Sequence, residues 1–123
     1  MQFMLDANAF ILLLTGHRKL IERAEACSEG DLAISVIAYA EVALGSRRGK
    51  PPPRELIDEL LKTIAVLPFD QAAAEEYSAL PFRRASYDRL IAAHAVATGL
   101  ILVTANLGDF ADIPDLRVAD WTQ

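Results

Sequence analysis

The sequence predicts a single-domain α/β fold over residues 1–123, in which a parallel sheet carries helices on both faces. Strand-like and helix-like segments alternate in the order β-α-α-β-α-α-β-α-α-β-α-β, which is typical of a parallel sheet. Residues 100–103 form a short apolar run after Gly99, as expected of a buried parallel strand. Hydrophobic residues make up 53% of the chain and charged residues 24%, which indicates a globular protein and excludes a disordered or fibrous one.

The composition also narrows the classes of function. The formal net charge of −5 argues against a protein that holds nucleic acid through bulk electrostatics, so a role on RNA needs a local explanation. No apolar run approaches the ~18 residues of a membrane span, and no basic leader precedes residues 10–14. A single cysteine, Cys27, cannot form an internal disulfide, and two histidines without cysteine partners do not make a zinc site. We therefore expect a cytoplasmic protein with no membrane contact.

The first elements are a strand at residues 2–5 and a helix around residues 10–14. Asp6 stands at the end of the strand, and Asn8 is suited to cap the helix that follows. A second helix is predicted at residues 17–27. Taken alone, Asp6 has the ordinary interpretation of a turn or cap residue.

A second strand at Leu32–Ser35 leads into a helix over residues 36–45, which Gly45 is predicted to end. Ile37, Glu41 and Leu44 are spaced to share one face of this helix. A carboxylate on an apolar stripe costs free energy unless it is paired or binds a cation. Glu41 is therefore either a functional acid or a residue at the edge of the stripe that reaches water.

The second half of the chain begins with a basic, proline-rich loop at residues 47–53. The helix after it carries the apolar residues Leu56, Ile57, Leu60 and Leu61 with a period of 3.6. This stripe and the apolar helix at residues 10–14 predict more apolar surface than one small core covers, so we expect an oligomer or a bound partner. The remaining predicted elements are a helix at 54–62, a strand at 64–69, a helix from Asp70 to Leu80 that Pro81 stops, a helix from Asp88 to Gly99, a strand at 100–103, a single turn near Phe110 and a strand at 116–119.

Four carboxylates take a common position in this predicted fold. Asp6, Glu41, Asp88 and Asp109 lie at strand ends, on the helix after a strand, or at a helix start, and these positions can converge on one edge of the sheet. Singly, each has a plain explanation; Asp88 is also a suitable first-turn acid for a helix capped by Ser86. Carboxylates that share a pocket repel unless a cation lies among them, and oxygen ligands favour Mg²⁺ or Mn²⁺. Such a site is suited to phosphodiester hydrolysis.

Four sequence blocks resemble the PIN-domain ribonucleases, specifically the VapC toxins of VapBC toxin–antitoxin pairs. The blocks are residues 4–8 (MLDAN), 38–41 (AYAE), 88–95 (DRLIAAHA) and 103–110 (VTANLGDF). The resemblance implies a three-layer α/β/α fold with a central parallel sheet of four to five short strands. It also implies a Mg²⁺-dependent endoribonuclease, a cognate antitoxin that blocks the site, an RNA substrate and a homodimer.

The resemblance assigns Asp6, Glu41 and Asp88 to the acidic site, with Asp6 and Asp88 as metal ligands. The fourth position falls to Asn106 or Asp109; we favour Asp109 as the charge and Asn106 as a polar contact. Thr104 resembles the hydroxyl residue beside the metal. The chain departs from the family pattern in two places. The link at residues 81–86 is compact, which gives less wall on that side of the cleft. Position 7 is alanine, where a hydroxyl residue is common in the family.

Basic residues near these acids offer a local explanation for RNA binding. Arg47, Arg48 and Arg89 flank the Glu41 and Asp88 helices and are candidate contacts for the RNA backbone. The plain alternative for Arg47 and Arg48 is complementation of a helix end. His94 lies nearly opposite Asp88 on its helix, and we interpret it as a structural or surface residue rather than a catalytic one.

Three other functions share parts of this pattern. An aspartyl-phosphate phosphatase would need a second acid two residues after Asp6, where Asn8 stands. A receiver-like module would need paired acids near the first strand and a lysine after a late strand, where Thr104 and Ala119 stand. A catalytically silent binding module with a PIN-like fold is the remaining alternative.

Overall fold

The computed structural model describes residues 1–81 and 84–123, and its centre is a five-stranded parallel sheet. The strands are β1 (Phe3–Leu5), β2 (Leu32–Ser35), β3 (Ala65–Leu67), β4 (Ile101–Val103) and β5 (Val118–Ala119). Their order in the sheet is β3-β2-β1-β4-β5, so the first strand is central. This confirms the predicted parallel sheet.

Helices cover both faces of the sheet and complete a three-layer α/β/α fold. Helix α1 packs against α2, α3 and α4, while α5 packs against α6, which also contacts α3. The helices are α1 (Ala7–Thr15), α2 (Arg18–Glu25), α3 (Val36–Arg47), α4 (Arg54–Leu60), α5 (Gln71–Ser78) and α6 (Tyr87–Thr98), with a short 3₁₀ helix, η1, at Leu107–Phe110.

The register of the strands brings the residues that follow β1 and β4 to the same edge. Leu5 pairs with Ile34 on one side and with Val103 on the other. The Asp6 N–H donates to the Val103 carbonyl at 3.1 Å, which extends this ladder by one residue beyond β1. Asp6 and Thr104 therefore leave adjacent strands side by side.

The core fills the space between sheet and helices. Met4 and Leu5 of β1, Ile34 of β2 and Leu102 of β4 are fully buried, as expected for central strands covered on both faces. They pack in one cluster with helical side chains such as Phe10 of α1. The edge of the sheet that carries Asp6 and Thr104 is thus anchored in a fully buried core.

Two predicted helix boundaries are wrong. Helix α1 begins at Ala7 and is capped by Asp6, which accepts the Ala9 N–H, rather than by Asn8. Helix α3 passes through Gly45 and ends at Arg47, because a glycine within a helix costs only about 1 kcal/mol. The other helices end within a few residues of their predicted positions.

The inward face of α3 also differs from the predicted stripe. Ala38 and Val42 point into the core, while Leu44 is 50% exposed and Ile37 and Glu41 are half-buried. Small side chains face the sheet because α3 lies close to it and to α1. Glu41 therefore lies on the flank of the helix beside the open edge of the sheet.

His94 has the structural role predicted for it. Its ring is buried, Nδ1 lies 2.8 Å from the Ser35 hydroxyl, and the ring makes an edge-on contact with Phe69. The Ser35 hydroxyl also accepts the Ile37 N–H, so its proton is free to point at His94 Nδ1. Burial lowers the pKa of His94. The residue links α6 to the start of α3.

Two sequence-based exclusions can be compared with the structure. Cys27 is a free thiol that is half-buried beside the end of α2. None of the helices in the described ranges is both long enough and apolar enough to cross a membrane.

Candidate active site

Asp6 stands at the centre of the acidic edge and has two structural partners. Its carboxylate, only 3% exposed, accepts the Ala9 N–H at 2.7 Å and interacts with the Thr104 hydroxyl. Burial raises the pKa of Asp6, the interactions with Thr104 and Ala9 lower it, and the charge of Asp88 raises it again. The side chain is thereby fixed in position, at the cost of a buried charge.

Thr104 supports Asp6 from the neighbouring strand end. It is buried, and its hydroxyl oxygen accepts the Asn106 N–H at 3.0 Å, which shapes the turn after β4. Asn106 itself is exposed and stands just before η1. The structure thus puts Thr104 beside Asp6 and leaves the Asn106 side chain in solvent at the rim.

Glu41 carries an unsatisfied oxygen toward this edge. Its Oε1 is buried and has no hydrogen-bond partner, the sole such side-chain atom among the described residues. Burial raises the pKa of Glu41, and the nearby charges of Asp88 and Asp6 raise it further. A buried carboxylate oxygen without a donor is costly in free energy unless a proton or a cation satisfies it.

Asp88 and Asp109 complete the set from the other side of β1. Ser86 caps α6 by accepting the Arg89 N–H, which leaves the half-buried Asp88 carboxylate in the first turn free for other partners. Burial raises the pKa of Asp88, and the charge of Asp109 adds to the effect. Asp109 lies on η1 and is exposed.

The four predicted carboxylates therefore act on one another electrostatically. The charge of Asp88 raises the pKa values of both Asp6 and Glu41, and the charge of Asp109 raises the pKa of Asp88. The pKa values of Asp6, Glu41 and Asp88 are all raised, with burial as the largest cause of each. Burial disfavours the charged form of each acid, and only the part of the rise that comes from neighbouring negative charge would be relieved by a cation among them.

The donor set fits a hard divalent cation held by few protein ligands. In residues 1–81 and 84–123, no three Asp, Glu, His or Cys side chains are arranged to hold a metal ion together. Mg²⁺ commonly keeps several waters and binds through only one or two carboxylates, so a two-ligand site remains compatible with this arrangement. The orphaned Oε1 of Glu41 is a buried acceptor that a cation or a proton could satisfy.

The position of Arg89 does not suit the predicted contact with the RNA backbone. It is buried, donates to the Pro81 carbonyl at 2.9 Å, and pairs with Asp112 at 3.3 Å. A guanidinium that is engaged and screened from solvent does not serve as a phosphate contact. Its partner lies 23 residues away in sequence, so no local pattern could have revealed the pair.

The basic end of α3 stays at the surface. Arg47 and Arg48 are exposed, and Arg48 caps the helix through its backbone. Arg48 and Lys50 line a cleft of about 590 Å³ together with Glu41 and Tyr87. Tyr87 was not predicted from the sequence as a site residue. Its position immediately before Asp88 is the one sequence feature that points to it.

Comparisons with known proteins agree with this architecture. The model of the family described as PIN domain matches residues 3–116. The chain is 30% identical to the tRNA(fMet)-specific endonuclease VapC of Salmonella typhimurium, with 98% of each chain covered. It is 32% identical to ribonuclease VapC1 of Haemophilus influenzae strain R2866, with 100% of each covered. The resemblance predicted from the sequence is confirmed.

Solved structures give the same result. VapBC2 of Rickettsia felis, bound to a DNA fragment from its promoter, has a chain that superposes with a TM-score of 0.88 at 26% identity, covering 98% of this chain and 99% of that one. DNA-bound VapBC of Salmonella typhimurium gives a TM-score of 0.83 at 28% identity, with 98% of both chains covered.

Proposed function

The chain belongs to the PIN-domain family, and we propose that it is a metal-dependent endoribonuclease that acts as the toxin of a toxin–antitoxin pair. The observation that carries the proposal is the set of mutually coupled carboxylates at the sheet edge, with one oxygen of Glu41 buried and unsatisfied. The names of the VapC relatives support ribonuclease activity.

Asp6 and Asp88 are the proposed metal ligands, with Mg²⁺ as the ion and Mn²⁺ as a substitute. A bound ion of this kind polarises a phosphate oxygen and lowers the pKa of a coordinated water. Asp6 is held for this task by Ala9 and Thr104, so its carboxylate needs no reorganisation. Asp88 projects from a helix start that Ser86 already caps.

Glu41 and Asp109 are the proposed supporting acids. Burial and neighbouring charge raise the pKa of Glu41, which suits it to hold a proton and return it. Asp109, exposed on η1, adds negative charge beside Asp88. Asn106 is proposed as a polar contact at the rim and Thr104 as the buried hydroxyl beside Asp6, while Arg47 and Arg48 are proposed as contacts of the RNA backbone.

Cleavage of single-stranded RNA by the purified protein tests this proposal. We expect cleavage with Mg²⁺ or Mn²⁺ and none with EDTA, and we expect Asp88→Asn to lose most of the rate while keeping the fold. Asp115→Asn is the matched control, because Asp115 is exposed at φ +64°, a conformation that Asn tolerates. Cleavage that survives EDTA, or an Asp88→Asn variant as fast as the parent, would refute the proposal in favour of a silent binding module.

A cognate antitoxin and a second copy of the chain are the proposed protein partners. At the opposite edge of the sheet, a cleft of about 510 Å³ is lined by apolar side chains that include Leu13, Leu14, Ile21 and Leu60. Leu56 of α4 is also 44% exposed, whereas Ile57 is buried. This distribution supports the predicted partner-binding surface. A free thiol at Cys27 suits the reducing cytoplasm that we propose as the location.

Light scattering of the isolated protein tests the prediction of assembly. We expect a mass above that of one chain, or aggregation that a co-expressed partner prevents, because exposed apolar surface of this kind favours association. A monomer that stays dispersed at high concentration without any partner would contradict this prediction.

A further inference from the structure

The cleft beside Glu41 has the composition of a nucleotide-binding site. It has a volume of about 590 Å³, within the range of sites that take small ligands. One part of its wall is apolar, from Ile37 and Leu44 of α3, and the ring of Tyr87 borders it. Tyr87 is 62% exposed, so its ring is available to a ligand.

Two cations, Arg48 and Lys50, line the same cleft. Neither side chain makes a hydrogen bond or an ion pair with any residue that the structure describes. Four other cations of the chain are engaged: Arg54 with Asp58 and Tyr39, Lys62 with Glu59, Arg89 with Asp112, and Arg117 with the Gly99 carbonyl. Exposed cations such as Arg18 and Lys19 of α2 likewise have no side-chain partner among the described residues, but they lie outside the cleft. In a chain of net charge −5, two cations in one cleft that contact no described residue favour an anionic ligand.

The cleft is continuous with the acidic edge through Glu41. Glu41 lines the cleft, and the charges of Asp88 and Asp6 raise the pKa of its carboxylate. Tyr87 immediately precedes Asp88 on α6. A ligand in the cleft therefore lies next to the proposed site of cleavage.

We infer that this cleft binds one unpaired nucleotide of the RNA next to the cleaved phosphodiester, with its base stacked on Tyr87 and its phosphate facing Arg48 and Lys50. The inference rests on the proposed function and names the feature of the substrate that it selects. Proteins hold single-stranded nucleic acid by stacking its bases on aromatic side chains and by placing cationic side chains along its phosphate backbone. A paired base inside a duplex is already stacked on its neighbours, so its faces are not available to the protein. The apolar wall of Ile37 and Leu44 covers the base edge from solvent.

Binding measured without cleavage tests the inference. In an Asp88→Asn background with Mg²⁺, fluorescence anisotropy follows a fluorescein-labelled single-stranded RNA of about ten nucleotides, a length comparable with the sites of single-strand-binding domains. We expect Tyr87→Ala to weaken binding roughly 5- to 100-fold, the worth of one stacked base, and Tyr87→Phe to restore it. Tyr87 is exposed, so neither change should disturb the fold.

A second arm removes the base instead of the ring. Abasic substitutions scanned along the RNA should weaken binding at one nucleotide, and that loss should vanish in Tyr87→Ala, because both changes delete the same contact. Arg48→Gln and Lys50→Gln should each reduce the slope of log K against log salt by about 0.7. Arg18→Gln and Lys19→Gln, exposed cations of α2 outside the cleft, are the matched controls.

The outcomes separate this inference from the proposed function. If the parent does not cut RNA but Tyr87 and one abasic position are coupled, the nucleotide site stands and the nuclease proposal fails. If the parent cuts RNA and the Tyr87 and abasic effects are independent, the inference is overturned. It is also overturned if Tyr87→Ala and Leu44→Ala convert a dimer to a monomer in sedimentation while RNA binding is unchanged, since the cleft is then an interface between copies.

Discussion

At the scale of single residues, Asp6 shows how one side chain serves folding and chemistry together. Its carboxylate caps α1 through the Ala9 N–H and is also the buried charge next to Asp88. Sequence analysis placed the acid correctly at the end of β1 but gave the cap to Asn8. Asp and Asn are equally good caps, so composition alone could not tell which of two residues, two positions apart, begins the helix.

This double role can be separated by substitution. Asp6→Asn keeps a side-chain oxygen for the Ala9 N–H and removes the charge, so the free energy of unfolding without metal should be unchanged or higher. Asp6→Ala should lower it by about 1 kcal/mol through loss of the cap. Both variants should lose the stabilisation that we expect Mg²⁺ to give the parent. Urea unfolding in EDTA measures the first effect, and equal stability of the two variants would contradict it.

At the scale of elements, the loop that carries Asp109 is tied to the helix that carries Asp88. Arg89 of α6 pairs with Asp112 just beyond η1 and also binds the Pro81 carbonyl. Sequence analysis predicted α6, β4 and the turn near Phe110 from local patterns, since caps and apolar runs are local signals. The Arg89–Asp112 pair could not be predicted from the sequence, because a contact between residues 23 apart produces no periodic pattern.

Breaking the pair should therefore loosen the site as well as the fold. Arg89→Met leaves the Asp112 carboxylate and the Pro81 carbonyl without this donor. We expect a loss of roughly 1.5–3 kcal/mol, as for hydrogen bonds to a charged group, because the Asp112 side chain is 24% exposed. Urea unfolding measures it. Arg54→Met, which breaks an exposed pair with Asp58, is the control and should cost under about 1 kcal/mol.

At the scale of the whole molecule, the acidic edge follows from topology. With β1 central and all strands parallel, the residues after β1 and β4 must emerge together, as Asp6 and Thr104 do. The alternation of strands and helices predicted the parallel sheet, while the convergence of the four acids on one pocket stays a prediction. The identity of the RNA is not accessible in this way, because surface shape rather than strand order selects it.

The last prediction concerns pH and metal together. The pKa values of Asp6, Glu41 and Asp88 are raised in the folded protein, mainly by burial. Their favourable contribution is therefore present at acidic pH and is lost as pH rises through those raised values, so the metal-free protein should become less stable from about pH 4 upward.

If Mg²⁺ binds the deprotonated acids of the folded state, as proposed, it should reverse this trend. The gain follows RT ln(1 + [L]/Kd), about 2.7 kcal/mol at a hundredfold excess over Kd, and should shrink as pH falls and protons compete. Thermal unfolding with Mg²⁺ or EDTA across acidic to neutral pH measures the difference. Asp88→Asn should abolish it, while Asp115→Asn should keep it, because the charge of Asp115 is not among those that raise the pKa values of Asp6, Glu41 and Asp88. A Mg²⁺ effect of the same size in both variants would contradict a metal site at Asp88.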